Sequence, residues 1–245
     1  MERVRGGDVG RELLKIADWF DRARLHGLAI DAIEMLAGGR PPEAPSGGGP
    51  EDSPPPHSTD AFAEELANYA GLLEQTGRVA EAEASFERAI VLDRDAGDLR
   101  LEGNALLGLA GLRHTAGRLE DAERTFNQSL ALFRKIGDRR TEGVTVGNLA
   151  SLYAATDRPR EAEQAFREAL DIHRSVGHRR FEGAHACNYA ELLVREGRVE
   201  EARARWCDGA AILRDMGLTR DLTVKTEAMK KACERAGVPA LDDGV

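Results

Sequence analysis

Residues 137 to 177 read GDRRTEGVTVGNLASLYAATDRPREAEQAFREALDIHRSVG, and most of their marked positions recur 40 residues away in either direction. Gly97, Gly137, Gly177 and Gly217 keep that spacing. So do Ala70, Ala110, Ala150 and Ala190, and Ala82, Ala122, Ala162 and Ala202. Phe86, Phe126, Phe166 and Trp206 share a third column, and Leu72, Leu112, Leu152 and Leu192 a fourth. A fixed period of this length signals stacked supersecondary units, none of which can bury its apolar face alone.

Within the quoted stretch the apolar spacing predicts one helix from about Arg140 to Ala155 and a second, antiparallel, from about Pro159 to Ser175. The turn between them falls at Gly77, Gly117, Asp157 and Gly197. A left-handed residue is expected there, which glycine adopts without a Cβ clash and Asp tolerates better than most. Pro159 sits at a helix start, where its missing N–H is harmless. Gly97, Gly137, Gly177 and Gly217 are expected to stop the second helix, with Asp98 and Asp138 capping the next. The fold class that follows is all-α: a right-handed α-solenoid of stacked antiparallel helical hairpins with a C-terminal capping helix.

Working outward, the array is expected over residues 59–237, with repeats at about 59–97, 98–137, 138–177 and 178–217, a cap at 218–237 and a tail at 238–245. The cap carries Thr226 and Lys230 in columns that elsewhere hold packing residues, as a terminal unit with a polar outer face should. Residues 38–58 contain seven of the nine prolines and the run Gly47, Gly48 and Gly49, a composition expected to form a disordered linker. Residues 1–37 show helical periodicity through Leu13, Ile16, Phe20, Leu28, Ala32 and Ile33. They read either as a degenerate hairpin or as a detached amphipathic helix.

Composition narrows the function classes. Hydrophobic residues make up 42% and aromatics 5% of the chain, so Ala and Leu carry the packing. The formal net charge is -9 and the basic residues are dispersed, which argues against nucleic acid as a partner. No apolar run is long enough to span a membrane and no secretory h-region follows Met1, so a cytoplasmic protein is expected. Cys187, Cys207 and Cys233 lack metal-binding spacing and read as buried thiols. His173, His178 and His185 read as surface residues. No nucleophile motif or phosphate loop is present, and no enzyme activity, cofactor or metal is expected.

The residues resemble the tetratricopeptide repeat family. Its pattern is met by Val146, Leu149, Ala150, Tyr153, Ala162 and Phe166, and by Leu66, Tyr69, Ala70, Leu73, Ala82 and Phe86, although the family's closing proline is replaced by Arg94, Arg134, Arg174 and Arg214. The GDRRTEG and NLA stretches resemble the longer-period arrays of Leu-Gly-Asn adaptors and kinesin light chains. The resemblance covers about residues 60–217 and implies a protein or peptide partner held in a groove along the first helix of each hairpin. By that template the groove positions are Glu64, Ala67, Gly71 and Glu74; Asn104, Leu107, Gly111 and His114; Val144, Gly147, Ser151 and Ala154; and Ala184, Cys187, Glu191 and Val194. Chaperone-tail clamps of the superfamily need Lys and Arg in the groove, and these positions supply none.

Small residues in mid-groove would let a ligand main chain approach; alternatively Gly71, Gly111 and Gly147 serve helix packing. An asparagine column, Asn68, Asn148 and Asn188, broken by Gly108, lies beside the stripe. A carboxamide can pair with both N–H and C=O of a peptide unit, or it can tie neighbouring repeats together. The recurring arginines read as repeat-to-repeat ion pairs on solvated faces. The function expected is a non-catalytic interaction scaffold. The alternative is a ligand- or peptide-sensing regulator with residues 1–37 as its output element, or the array of a signalling system whose effector is a separate protein.

Overall fold

The computed structural model describes residues 78–241 together with Ala67, Ala70, Gly71, Leu73 and Glu74. The chain divides into two units, Met1–Pro55 and Pro56–Val245, and every described residue belongs to the second. The expected N-terminal helical segment, the linker, Asn68, Gly77 and the last four residues of the tail lie outside the described residues.

Among the described residues eight helices with defined bounds follow one another: α1 Val79–Ala96, α2 Leu99–Thr115, α3 Leu119–Ile136, α4 Arg139–Ala155, α5 Pro159–Ser175, α6 Arg179–Arg195, α7 Val199–Asp215 and α8 Thr219–Ala236. Ala67, Ala70, Gly71, Leu73 and Glu74 are helical and precede α1. The helix pair expected at Arg140–Ala155 and Pro159–Ser175 corresponds to α4 and α5, and Pro159 occupies the first turn of α5. Gly117, Asp157 and Gly197 take positive φ within the hairpins, and Gly97, Gly137, Gly177 and Gly217 between them. The Asp98 carboxylate accepts from the amides of Arg100 and Leu101, and Asp138 from Thr141, capping α2 and α4.

Helices α2, α4, α6 and α8 form one layer, each touching the next, while α3, α5 and α7 each pack against the preceding member of that layer. The layers differ because their surroundings differ. Helix α4, flanked on several sides, buries Val144, Thr145, Val146, Leu149, Ala150 and Leu152. Helix α5, with one free face, buries a stripe at Ala162, Ala165, Phe166, Ala169 and Leu170, the spacing of an amphipathic helix. The aromatic column forms the core: Phe126, Phe166 and Trp206 are at most 1% exposed, and Phe86 is 5% exposed. Gly103, Gly143 and Gly183 let their partner helices close in, for a Cβ at these sites would press on Phe133, on Ile172 and on Ile212 respectively.

The recurring arginines do pair across repeats, but only one side of the pairing is solvated. Arg94, Arg134 and Arg174 donate to Glu102, Glu142 and Glu182 on the following helix. These three carboxylates are buried, at 6%, 3% and 6% exposure. Arg139 and Arg179 donate to Glu142 and Glu182 as well. Removing an arginine here uncovers a buried charge, which costs more than breaking a surface pair. Among the described residues no helix is long and apolar enough to cross a membrane.

Candidate functional site

Of the predicted groove residues, Asn104, Leu107, Gly111, His114, Ser151, Ala154, Ala184 and Glu191 are at least partly exposed on α2, α4 and α6, whereas Val144 and Gly147 are buried; the mid-groove glycines divide between their two readings. At Gly71 and Gly111 an added Cβ would meet nothing within 4 Å, so helix packing does not account for either glycine. At Gly147 the same Cβ would collide with the His185 ring, so that glycine makes room for the next repeat. Gly108 breaks the asparagine column because the Phe86 ring lies against it.

The asparagines also divide. The Asn188 amide donates to the Ser151 hydroxyl at 3.1 Å and its carbonyl accepts from Lys225, so it ties α4, α6 and α8 together. Asn148 is half-buried and makes no side-chain hydrogen bond among the described residues. Asn104 is exposed. His114 is half-buried, and burial holds its imidazole below the ordinary histidine range.

Ser151, Asn188 and Glu191 converge on one depression of about 700 Å³ between α4, α6 and α8. Gly71, Asn104, Gly111, His114 and Asn148 do not line it. Its walls include Ala154, Ala228 and Ala232, and its rim carries Arg195, Lys225, Lys231 and Arg235. The sequence reading missed these four cations by ending the template at Val194. The column through Gly111, Ser151 and Glu191 reaches Lys231 one period later, and Arg195 repeats as Arg235. All four lie outside the template positions, none of which is Lys or Arg. Burial raises the Glu191 carboxyl above the usual carboxylate range, against the opposing pull of Lys225 and Arg195.

Several expectations are corrected. Cys187 and Val194 are fully buried rather than in the groove; Cys187 packs against Gly209, and burial pushes its thiol up to about 12. His173 and His185 are not surface residues. They are 0% and 3% exposed, and Nε2 of His173 faces Nδ1 of His185 at 3.0 Å. The glycines at 143 and 147 on α4 leave the space these rings fill. His178 is half-buried and lies edge-on to His173. Among the described residues no group of three or more His, Cys, Asp or Glu is placed to hold a metal ion.

A family model described as tetratricopeptide repeat matches residues 62–135 and 141–215. Among solved structures, BtubC (BKLC) from P. vanneervenii is 18% identical with a TM-score of 0.62, the match covering 93% of this chain and 89% of that one. A kinesin light chain with nearly identical TPR-like repeats from Podosopora anserina is 16% identical with a TM-score of 0.52, covering 73% of this chain and 98% of that one. At these identities the likeness is one of fold. No curated protein matches. The 40-residue period, the stacked hairpins and the matched segments agree: the chain belongs to the tetratricopeptide repeat family.

Proposed function

We propose that this chain is a non-catalytic cytoplasmic scaffold that captures an extended or helical segment of a protein partner along the α2–α4–α6–α8 face, without cofactor, nucleic acid or membrane. The observation that carries this reading is the open depression where Ser151, Asn188 and Glu191 meet. Support comes from the room beside Gly71 and Gly111 and from the uncommitted amide of Asn148. A side-chain amide of that kind can pair with a ligand main chain at both its donor and its acceptor.

The test places a photo-crosslinking residue either at Ala154, in the depression, or at Val91, exposed on α1. Capture of one partner from Ala154 and none from Val91 is the expected outcome. With that partner purified, Asn148→Ala should weaken binding by about 1 to 3 kcal/mol while the melting temperature stays put. Crosslinks only from Val91, or unchanged affinity in Asn148→Ala, would overturn the reading and move the interface off this face.

A further inference from the structure

One cleft in the array breaks the period at several positions at once. Helices α5 and α7 each pack against α6 and do not touch each other, leaving a cleft of about 280 Å³ lined by Arg167, Asp171 and Arg174 of α5, Tyr189 of α6, and Glu201 and Arg205 of α7. It shares no lining residue with the depression between α4, α6 and α8. One period earlier, the matching positions of α3, α4 and α5 hold Asn127, Ala131, Arg134, Leu149, Glu161 and Ala165. Of the six, only Arg174 and Glu201 keep their residue type. The earlier hairpins stack without the others, so Arg167, Asp171, Tyr189 and Arg205 are not demanded by the packing of one repeat on the next.

These departures act together on three guanidiniums. Tyr189 is 4% exposed; its hydroxyl donates to Glu163 at 2.8 Å and accepts from Nε of Arg167 at 3.3 Å. Arg167 also donates to Glu163 at 2.6 Å, which tethers its guanidinium and leaves Nη1 without a hydrogen bond among the described residues. In the earlier repeat Arg134 donates across to Glu168 of α5 at 2.8 Å and joins the two walls. Its successor Arg174 makes no such bridge, because Asp208 stands in place of Glu168, is one methylene shorter, and pairs with Arg205 of its own helix at 3.4 Å. Arg174 keeps Glu182 at 3.2 Å and approaches Asp171 only at 3.6 Å, where the Asp171 side chain is 79% exposed. Glu201 opposes the cations little, since both of its oxygens accept from Arg198.

We propose that the α5–α7 cleft is a second binding site, independent of the groove reading, that takes a phosphorylated serine or threonine of a partner segment, with the phosphoryl oxygens accepting from Arg167, Arg174 and Arg205. A phosphomonoester brings a charge of about -1.5 to -2 and three strong acceptor oxygens, and guanidinium forks match that geometry. A carboxylate offers less charge and one oxygen fewer. Leu170 and Leu193 in the lining are 3% and 1% exposed, so no apolar floor is left to hold the body of a small phosphorylated molecule. The opening between two helices that do not touch admits a peptide main chain instead. A longer polyphosphate would run over a molecule of net charge -9, which disfavours nucleic acid.

The experiment measures fluorescence anisotropy of labelled, capped Gly-Ala peptides on the full chain at low salt, with phosphoserine, Ser or Glu at the central position. A labelled single-stranded oligonucleotide is measured alongside. The phosphoserine peptide is expected to bind about tenfold more tightly than the Ser peptide and about threefold or more above the Glu peptide, with the advantage shrinking as salt rises. The double variant Arg167→Asn/Arg205→Ala gives the cleft the residue types that the preceding repeat already carries there. Glu163 keeps Arg198 at 2.9 Å in that variant, as Glu123 keeps Arg158 at 2.8 Å one repeat earlier. It should abolish the advantage with the melting temperature unmoved. Arg205→Lys should retain part of it, because the charge stays and the fork is lost. Arg203→Ala, on α7 outside the cleft, and Lys231→Ala, on the rim of the depression, should leave it intact. Equal binding of the phosphoserine peptide and either counterpart, tighter binding of the oligonucleotide, or binding by none of the probes overturns the proposal. So does an advantage that survives the double variant or disappears with Lys231→Ala.

Discussion

A single residue departs from the punctuation of the array, and its cost is measurable. Asp157 has φ 58 where Gly117 and Gly197 occupy the equivalent turns at 75 and 74. A side chain in this region costs about 1 kcal/mol, somewhat less for Asp than for most. Asp157→Gly is therefore expected to raise stability by about 0.5 to 1 kcal/mol in a denaturant melt, and Gly197→Asp to lower it comparably. The asparagines separate at the same scale: Asn188→Ala should lower the melting temperature, because it cuts α4 and α8 loose from α6, whereas Asn148→Ala has no such tie to lose.

Between elements, the aromatic column holds the hairpins together and the exposed ion pairs add little. Phe126 and Phe166 are at most 1% exposed, so Phe126→Ala and Phe166→Ala are each expected to cost about 3 to 5 kcal/mol. Arg118 pairs with Glu83 with its side chain 40% exposed, and Arg118→Ala should cost less than about 1 kcal/mol. Equal midpoints for the three variants in urea would show that the column does not form the core. These positions were legible in the sequence because each repeat meets the same neighbours, so burial recurs with the period. The buried state of Glu102, Glu142 and Glu182 was not legible. An acidic column reads as solvated until the stacking brings arginines from the preceding helix over it.

Across the whole molecule, neighbouring repeats are joined by contacts that a period cannot express. The His173–His185 pair links α5 to α6 and rests on α4. Burial is the main cause that lowers both imidazoles, to about 4 for His173 and about 3 for His185, from an ordinary value of 6.5. A histidine held below its unfolded pKa contributes stability that is intact above that value and is lost as the pH falls, because the unfolded chain takes up protons that the folded pair refuses. The midpoint of unfolding should thus be steady above about pH 7 and decline from about pH 6.5 toward pH 4. His173→Gln should flatten that decline; a wild-type profile without it would show that the pair is not buried neutral.

The sequence alone determined the helical hairpins, their turns, their caps and the aromatic core, since all of these follow from local conformation and from a burial pattern repeated every 40 residues. Only the tertiary structure decided which groove residues are open, which asparagine is already spent, and where charge collects. Gly111 and Gly147 both read as mid-groove glycines, yet the first faces open space and the second faces His185. Arg195, Lys225, Lys231 and Arg235 are spread over 41 positions of chain and become a single cluster when α8 stacks beside α6. Electrostatics and side-chain occupancy depend on distance in space, and the column pattern records only the neighbours that every repeat shares.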